Sequence, residues 1–168
     1  MVEVRNARRS DRQAIRDLHV ESVRELAPAA YREAVVDAWV GDEERDPANY
    51  EVTADESAFF VADVEGDVVG FGEIVSREGA TSAYDMAADA EVRAVYVAPD
   101  WAGDGIGSAL LAELESWGRE RDLKTVVLTA SLNAVDFYEA RGYEQVRERT
   151  HTFGGEVEGP VVVMRKSL

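Results

Sequence analysis

From Glu91 to Leu111 the chain reads EVRAVYVAPDWAGDGIGSALL. An alternating apolar run is followed by a proline, three glycines within five residues, and a helix-forming stretch. No other segment restricts the fold as closely. A strand that turns through Gly103, Gly105 and Gly107 directly into a helix demands an α/β arrangement. The junction gathers unpaired backbone amides and the positive end of a helix dipole at one point, a natural site for a phosphate. Glycines there let the chain approach an anion without Cβ clashes.

Three kinds of phosphate loop can be compared with this stretch. A Walker loop needs a lysine after its glycines, and none follows here. A dinucleotide fingerprint needs G-x-G-x-x-G, but counting from Gly105 or Gly103 places Leu110 or Ser108 where the last glycine belongs. The third kind is the short loop that holds the pyrophosphate of coenzyme A. A simple tight turn would also satisfy the glycines alone.

The remaining pattern is a mixture of strands and helices. VEVRNA alternates and predicts a first strand, after which Ser10 or Asp11 caps a helix carrying Ile15 and Leu18. A second helical stretch holds Tyr31, Val35, Val36 and Trp39 and ends at Gly41. AFFVADV and VVGFGEIV, separated by Glu65, Gly66 and Asp67, predict a hairpin. TSAYDMAADA has no clear period and reads as a loop, whereas EVRAVYV is a strand ended by Pro99. The helix from Gly105 to about residue 121 turns Ile106, Ala109, Leu110, Leu114 and Trp117 inward. TVVLTA predicts a strand, NAVDFYEAR a helix stopped by Gly142, and YEQVRER and PVVVMRK the closing strands. The sum is an α/β fold, a mixed but mostly antiparallel central sheet with helices on both faces, in one domain over residues 1–168.

Composition narrows the function classes. With 34 acidic and 18 basic residues the net charge is −16, and Lys124 and Lys166 are the only lysines. Binding to a nucleic-acid backbone is excluded as a working hypothesis, because it relies on clustered cations. Such acidity either attracts cationic substrates or suits high salt, where self-repulsion is screened. The scatter of the acids along the chain favours the second, a halophilic origin. Without cysteine there is no disulfide, no thiolate nucleophile and no cysteine metal site. His19 and His151 alone argue against a histidine zinc site, so no metal is expected. MVEVRNARRSD carries no apolar leader and no segment has the roughly 20 apolar residues of a membrane span, which predicts a cytoplasmic protein with no membrane partner.

EVRAVYVAPDWAGDGIGSALL, followed by ASLNAVDFYEARGYEQV, resembles the GNAT superfamily of acetyl-CoA-dependent N-acetyltransferases. The resemblance is strong over residues 91 to 146. IRDLH, FFVADVEGDVVGFGEI and VVVMRKSL extend it more loosely to nearly the whole chain. It implies acetyl-CoA as cosubstrate, with the [QR]-x-x-G-x-[GA] signature falling on Ala102, Gly103, Asp104, Gly105, Ile106 and Gly107, and Ser108 following. Pantetheine is then expected beside the main chain at Val95, Tyr96 and Val97, with a backbone amide near Val95 holding the oxyanion. Asn133 bonds the pantetheine arm or caps its helix. Tyr138 matches the family tyrosine that protonates the leaving thiolate. Glu91, eleven residues before Ala102, matches the family's glutamate base, with Glu73 in GFGEI or a water relay as alternatives.

Two positions depart from the family pattern. Ala102 stands where Gln or Arg is usual and Asp104 where a basic residue is common, and an acid beside a pyrophosphate weakens binding. The acceptor is an amine, of a small molecule or of a protein. His19, Tyr31, Trp39, Tyr50 and Tyr84 are candidate walls of its pocket, and each also reads as packing. A homodimer is common in the family. Direct transfer in a ternary complex is the leading reading, since no cysteine is available to carry an acetyl group. A catalytically silent acyl-CoA-binding sensor or partner module is the alternative, and a nucleotide-binding enzyme stands third.

Overall fold

The computed structural model describes residues 1–41, 47, 50, 52, 56–76, 80–81 and 86–168. A seven-stranded sheet runs in the order β1-β2-β3-β6-β7-β9-β8. Its strands are β1 (Val2–Asn6), β2 (Ser57–Val64), β3 (Asp67–Ser76), β6 (Ala90–Val97), β7 (Thr125–Ser131), β8 (Glu144–Gly154) and β9 (Val157–Ser167). All neighbours are antiparallel except β6 and β7. Helices α1 (Arg12–Leu26) and α2 (Glu33–Val40) cover one face. Helices α3 (Ile106–Arg119) and α4 (Val135–Glu139) cover the other. The expected mixed, mostly antiparallel sheet between helices is the fold observed.

Sequence chemistry accounts for the main elements. Glu65 and Gly66 both take positive φ, so β2 and β3 join through a two-residue turn whose twist matches the strands. The α3 face that reaches the sheet carries Ile106, Leu110, Leu111 and Leu114, all essentially buried against Ala58, Phe60, Ile74, Leu128 and Met164. Close approach is possible because β3 has glycines under the helix. A Cβ at Gly70 or Gly72 would stand 3.0 Å from Leu110 or Leu114.

Several expectations need correcting. Ala109 is exposed and Leu111 takes the inward place assigned to it, because the helix is rotated to put Ile106, Leu110 and Leu114 at its centre. Neither Ser10 nor Asp11 caps α1 through its side chain. Asp11 instead accepts from the Arg8 N–H at 2.7 Å and from Nη1 and Nη2 of Arg5 at 2.8 and 3.0 Å. TSAYDMAADA is not wholly a loop, since β4 (Ala80–Thr81) pairs with β5 (Met86–Ala87). Residues 82–85, and with them Tyr84, lie outside the described residues. The last hairpin extends well past YEQVRER and PVVVMRK, and α4 is short because a 3-10 turn, Leu132–Ala134, precedes it. Among the described residues no helix is long and apolar enough to cross a membrane.

Candidate active site

The sheet is forked at its centre. β6 and β7 pair only at Ala90 with Val126, Glu91 with Val127 and Val92 with Leu128. Below this contact the Asp89 carboxylate accepts the N–H groups of Lys124 and Thr125 at 2.7 and 3.1 Å, fastening the two strands at their start. Above it, β6 pairs with β3 as Glu73 with Ala94 and Ile74 with Val92, which leaves Arg93 as an extra residue. A bulge bends and twists its strand, and this one lies where β6 departs from β7.

Past the bulge, the direction of each peptide group follows from alternation along the antiparallel β3–β6 pair. The Ala98 N–H donates to Val69 O at 2.8 Å, so the main-chain groups of Tyr96 and Ala94 also face β3. Those of Val95 and Val97 face the gap.

The gap opens into a cavity of about 380 Å3, within the size range of small-ligand sites. Its walls bring together Val95, Tyr96 and Val97 of β6, Ala102, Gly103 and Gly105 of the turn, Ile106, Gly107 and Ser108 of α3, and Asn133 and Tyr138. Asp104 is exposed and is not among the lining residues. Asn133 does not cap α4, whose N-cap is Ala134.

The glycine turn has the form an anion requires. Gly103 and Gly105 have φ of +87° and +82°, and a Cβ on either would meet nothing within 4 Å. The first helical hydrogen bond of α3 runs from Ala109 N–H to Gly105 O at 3.1 Å. The N–H groups of Ile106, Gly107 and Ser108 therefore have no acceptor one turn back and point out of the helix end. Gly107 is needed for a different reason: a Cβ there would lie 3.1 Å from the Phe137 ring.

Several lining residues carry no signal that the sequence reading used: Trp101, Ser131, Phe137 and Arg141. Arg141 brings a positive charge to the glycine end. Its Nε donates to Ser108 Oγ at 2.6 Å, its Nη1 donates to Phe137 O at 2.7 Å, and its guanidinium lies 3.8 Å from the Phe137 ring centroid. The basic residue in EARGY was the available signal, but its direction depends on how the chain turns from α4 into β8.

Tyr138 is 7% exposed and packs edge-on against Phe137 and Tyr143. It lines both the large cavity and a second space of about 70 Å3 at the apex of the fork, along with Arg93, Tyr96, Thr129 and Trp39. Burial, with a smaller effect of Tyr96, pushes its phenol well above the ordinary range, so it stays protonated.

The two glutamates lie apart from the cavity walls. Glu91 is 8% exposed in the paired part of β6, and its Oε1 is 3.5 Å from Arg93 Nε. It adjoins Val92 at the edge of the small space without lining it. Glu73 lines neither space.

Of the proposed acceptor walls, Trp39 borders both spaces. Tyr31 lies behind it in an edge-on contact. His19 and Tyr50 share a hydrogen bond of 2.8 Å in the aromatic cluster under α1, beside Phe71 and Tyr96, and line neither space. Among the described residues no group of side chains could hold a metal ion.

Known proteins of similar sequence and shape agree with this architecture. The model of the acetyltransferase (GNAT) family matches residues 20–143. An uncharacterized N-acetyltransferase of Methanocaldococcus jannaschii is 32% identical over 94 residues, 54% of this chain and 41% of that protein. An aminoglycoside N(6')-acetyltransferase type 1 of Stenotrophomonas maltophilia is 28% identical over 95 residues, 55% of this chain and 62% of that enzyme. The matches thus span only about half the length of these two relatives.

In shape, a GCN5-related N-acetyltransferase from Rhodopseudomonas palustris superimposes with a TM-score of 0.82 at 24% identity, over 99% of this chain and 95% of that one. The PaiA N-acetyltransferase of Thermoplasma acidophilum, solved with coenzyme A, gives 0.73 at 19% identity, over 100% and 99%. With 124 of its 168 residues inside the family match, the chain belongs to the acetyltransferase (GNAT) family.

Proposed function

We propose that the chain, as one domain, moves an acetyl group from acetyl-CoA to a primary amine by direct transfer in a ternary complex. The observation that carries this reading is the forked sheet, whose cavity joins a helix end with free first-turn amides to a buried tyrosine and a strand edge with inward-facing peptide groups. The coenzyme A complex of the Thermoplasma relative supports the choice of ligand. When bound, acetyl-CoA supplies a thioester carbonyl that an amine can attack.

Each residue has a distinct task. The amides of Ile106, Gly107 and Ser108 and the three Arg141 N–H groups left by its two hydrogen bonds hold phosphate oxygens. Asp104 is exposed and does not line this end. The peptide groups of Val95 and Val97 hold the pantetheine arm, and the Val95 amide receives the charge that develops on the carbonyl oxygen. Tyr138 donates a hydrogen bond at the sulfur. Because its proton is held more tightly than that of a thiol, it stabilises the departing thiolate without fully surrendering the proton. The amine must first lose a proton. Glu91 is the base, reached past Val92 by a water relay that starts in the small space at the apex.

The separation of Glu91 from the cavity wall, and its contact with Arg93, favour a second reading, a silent acyl-CoA-binding module. Calorimetric titration with acetyl-CoA, with NAD and ATP as controls and in concentrated potassium chloride to suit a halophilic, cytoplasmic surface, tests the first step. Heat from acetyl-CoA alone is expected, and none from a folded sample removes both readings. An amine screen that includes aminoglycosides, polyamines and peptides then separates enzyme from silent module through thiol release.

A further inference from the structure

Resting on the coenzyme reading, the geometry points to Lys166 and Glu115 as positioning residues for Arg141, the cation at the phosphate end of the cavity. Lys166 Nζ donates to Glu115 Oε1 at 2.9 Å, to Glu115 Oε2 at 3.1 Å and to the Arg141 carbonyl at 2.8 Å. An ammonium has three donors, and each has an acceptor. Glu115 is 6% exposed on α3. Its Oε2 also accepts the Tyr143 hydroxyl at 2.9 Å.

The contacts form a closed circuit. At the start of α3, Ser108 Oγ accepts the side chain of Arg141. Two turns further along the same helix, Glu115 grips the main chain of Arg141 through Lys166. One helix thus holds the arginine at both ends, with β9 supplying the link. Burying an ion pair is costly and gives less stability than apolar side chains of similar volume. Its return here is geometric: the Arg141 guanidinium is held in the cavity wall, with three donors left by its two hydrogen bonds. Preorganising a cation in this way saves ordering cost on ligand binding. The chain's net charge of −16 makes a fixed cation at this point more valuable to an anionic ligand.

Calorimetry with coenzyme A on four proteins tests the assignment: wild type, R141M, the paired variant E115Q/K166M, and the three changes combined. Losing the Arg141 charge should weaken binding about tenfold or more. The paired variant should weaken it about fivefold, and the combined protein should bind no more weakly than R141M alone. An unchanged dissociation constant in E115Q/K166M, or a loss that adds in full to that of R141M, would overturn the assignment. If the paired variant fails to fold, K166R decides. It keeps the charge but replaces a compact ammonium by a planar fork, so its coenzyme affinity should fall, and an affinity equal to wild type sinks the idea. Absence of binding by wild type refutes the coenzyme reading itself, which is a separate outcome.

Discussion

The hydroxyl of Tyr31 donates to the Pro160 carbonyl at 2.6 Å. The same oxygen accepts the N–H of Leu132 at 2.9 Å, so one atom joins the connection between α1 and α2, the end of β7 and the start of β9. Ser131 and Asn133, which line the cavity, flank Leu132, and Trp39 rests edge-on against the Tyr31 ring. Tyr31 therefore acts on the cavity from behind its wall.

Tyr31→Phe leaves the half-buried Leu132 N–H and the Pro160 carbonyl without that partner. Stability should drop by about 1–3 kcal/mol in urea unfolding. A loss below the error of the fit would mean that water replaces the hydroxyl.

Gly107→Ala sets two effects against each other. Alanine is the better helix former, yet its methyl would sit 3.1 Å from Phe137 and displace the ring on which Arg141 lies. The melting temperature should hold or rise while coenzyme A affinity falls roughly tenfold. Equal affinity in the two proteins would free Phe137 from any part in binding.

Tyr138→Phe keeps the ring that packs against Phe137 and Tyr143 and removes only the hydroxyl. Turnover should fall by about tenfold to a hundredfold, with coenzyme A binding unchanged. Parallel losses in both would recast Tyr138 as a wall of the cavity.

Acid stability should depend on Asp11. Its carboxyl is held below the ordinary value, chiefly by the hydrogen bonds from Arg5, against the opposing effect of burial and with help from the Arg8 N–H. A depressed carboxylate contributes full stability above its unfolded pKa of about 3.9, and the contribution disappears as pH falls through the lower folded value. Between pH values of about 5 and 2 the unfolding free energy of wild type should fall more steeply than that of Arg5→Met. Parallel slopes would show that Arg5 does not set the acid limb.

How much of this was legible before the fold was known varies with the range of the interaction. The β2–β3 turn at Glu65 and Gly66 and the glycine junction before α3 are local events, and the chain advertises them directly. On α3, Ala109 and Leu111 both lie within reach of an inward stripe, and only the glycines of β3 decide the rotation of the helix. Arg141 is harder still to read. Its orientation is set by Ser108, 33 positions away, and by Lys166, 25 positions away. The place of Glu91 escapes a linear count because the bulge at Arg93 and the length of the β6–β7 contact determine how far the fork opens. Spacing along a strand measures distance but not where a neighbouring strand departs.

That departure makes the sheet a mechanical joint. Two plates, one ending in β6 and the other beginning with β7, meet through three residue pairs and the Asp89 clamp at the foot of β7. A molecule seated between them and bonded to Val95 on one side and to the Asn133 turn on the other would act as a brace. It would tie the local opening of one plate to that of the other, so that two sets of amides exchanging with solvent at separate rates in the empty protein would come to exchange together.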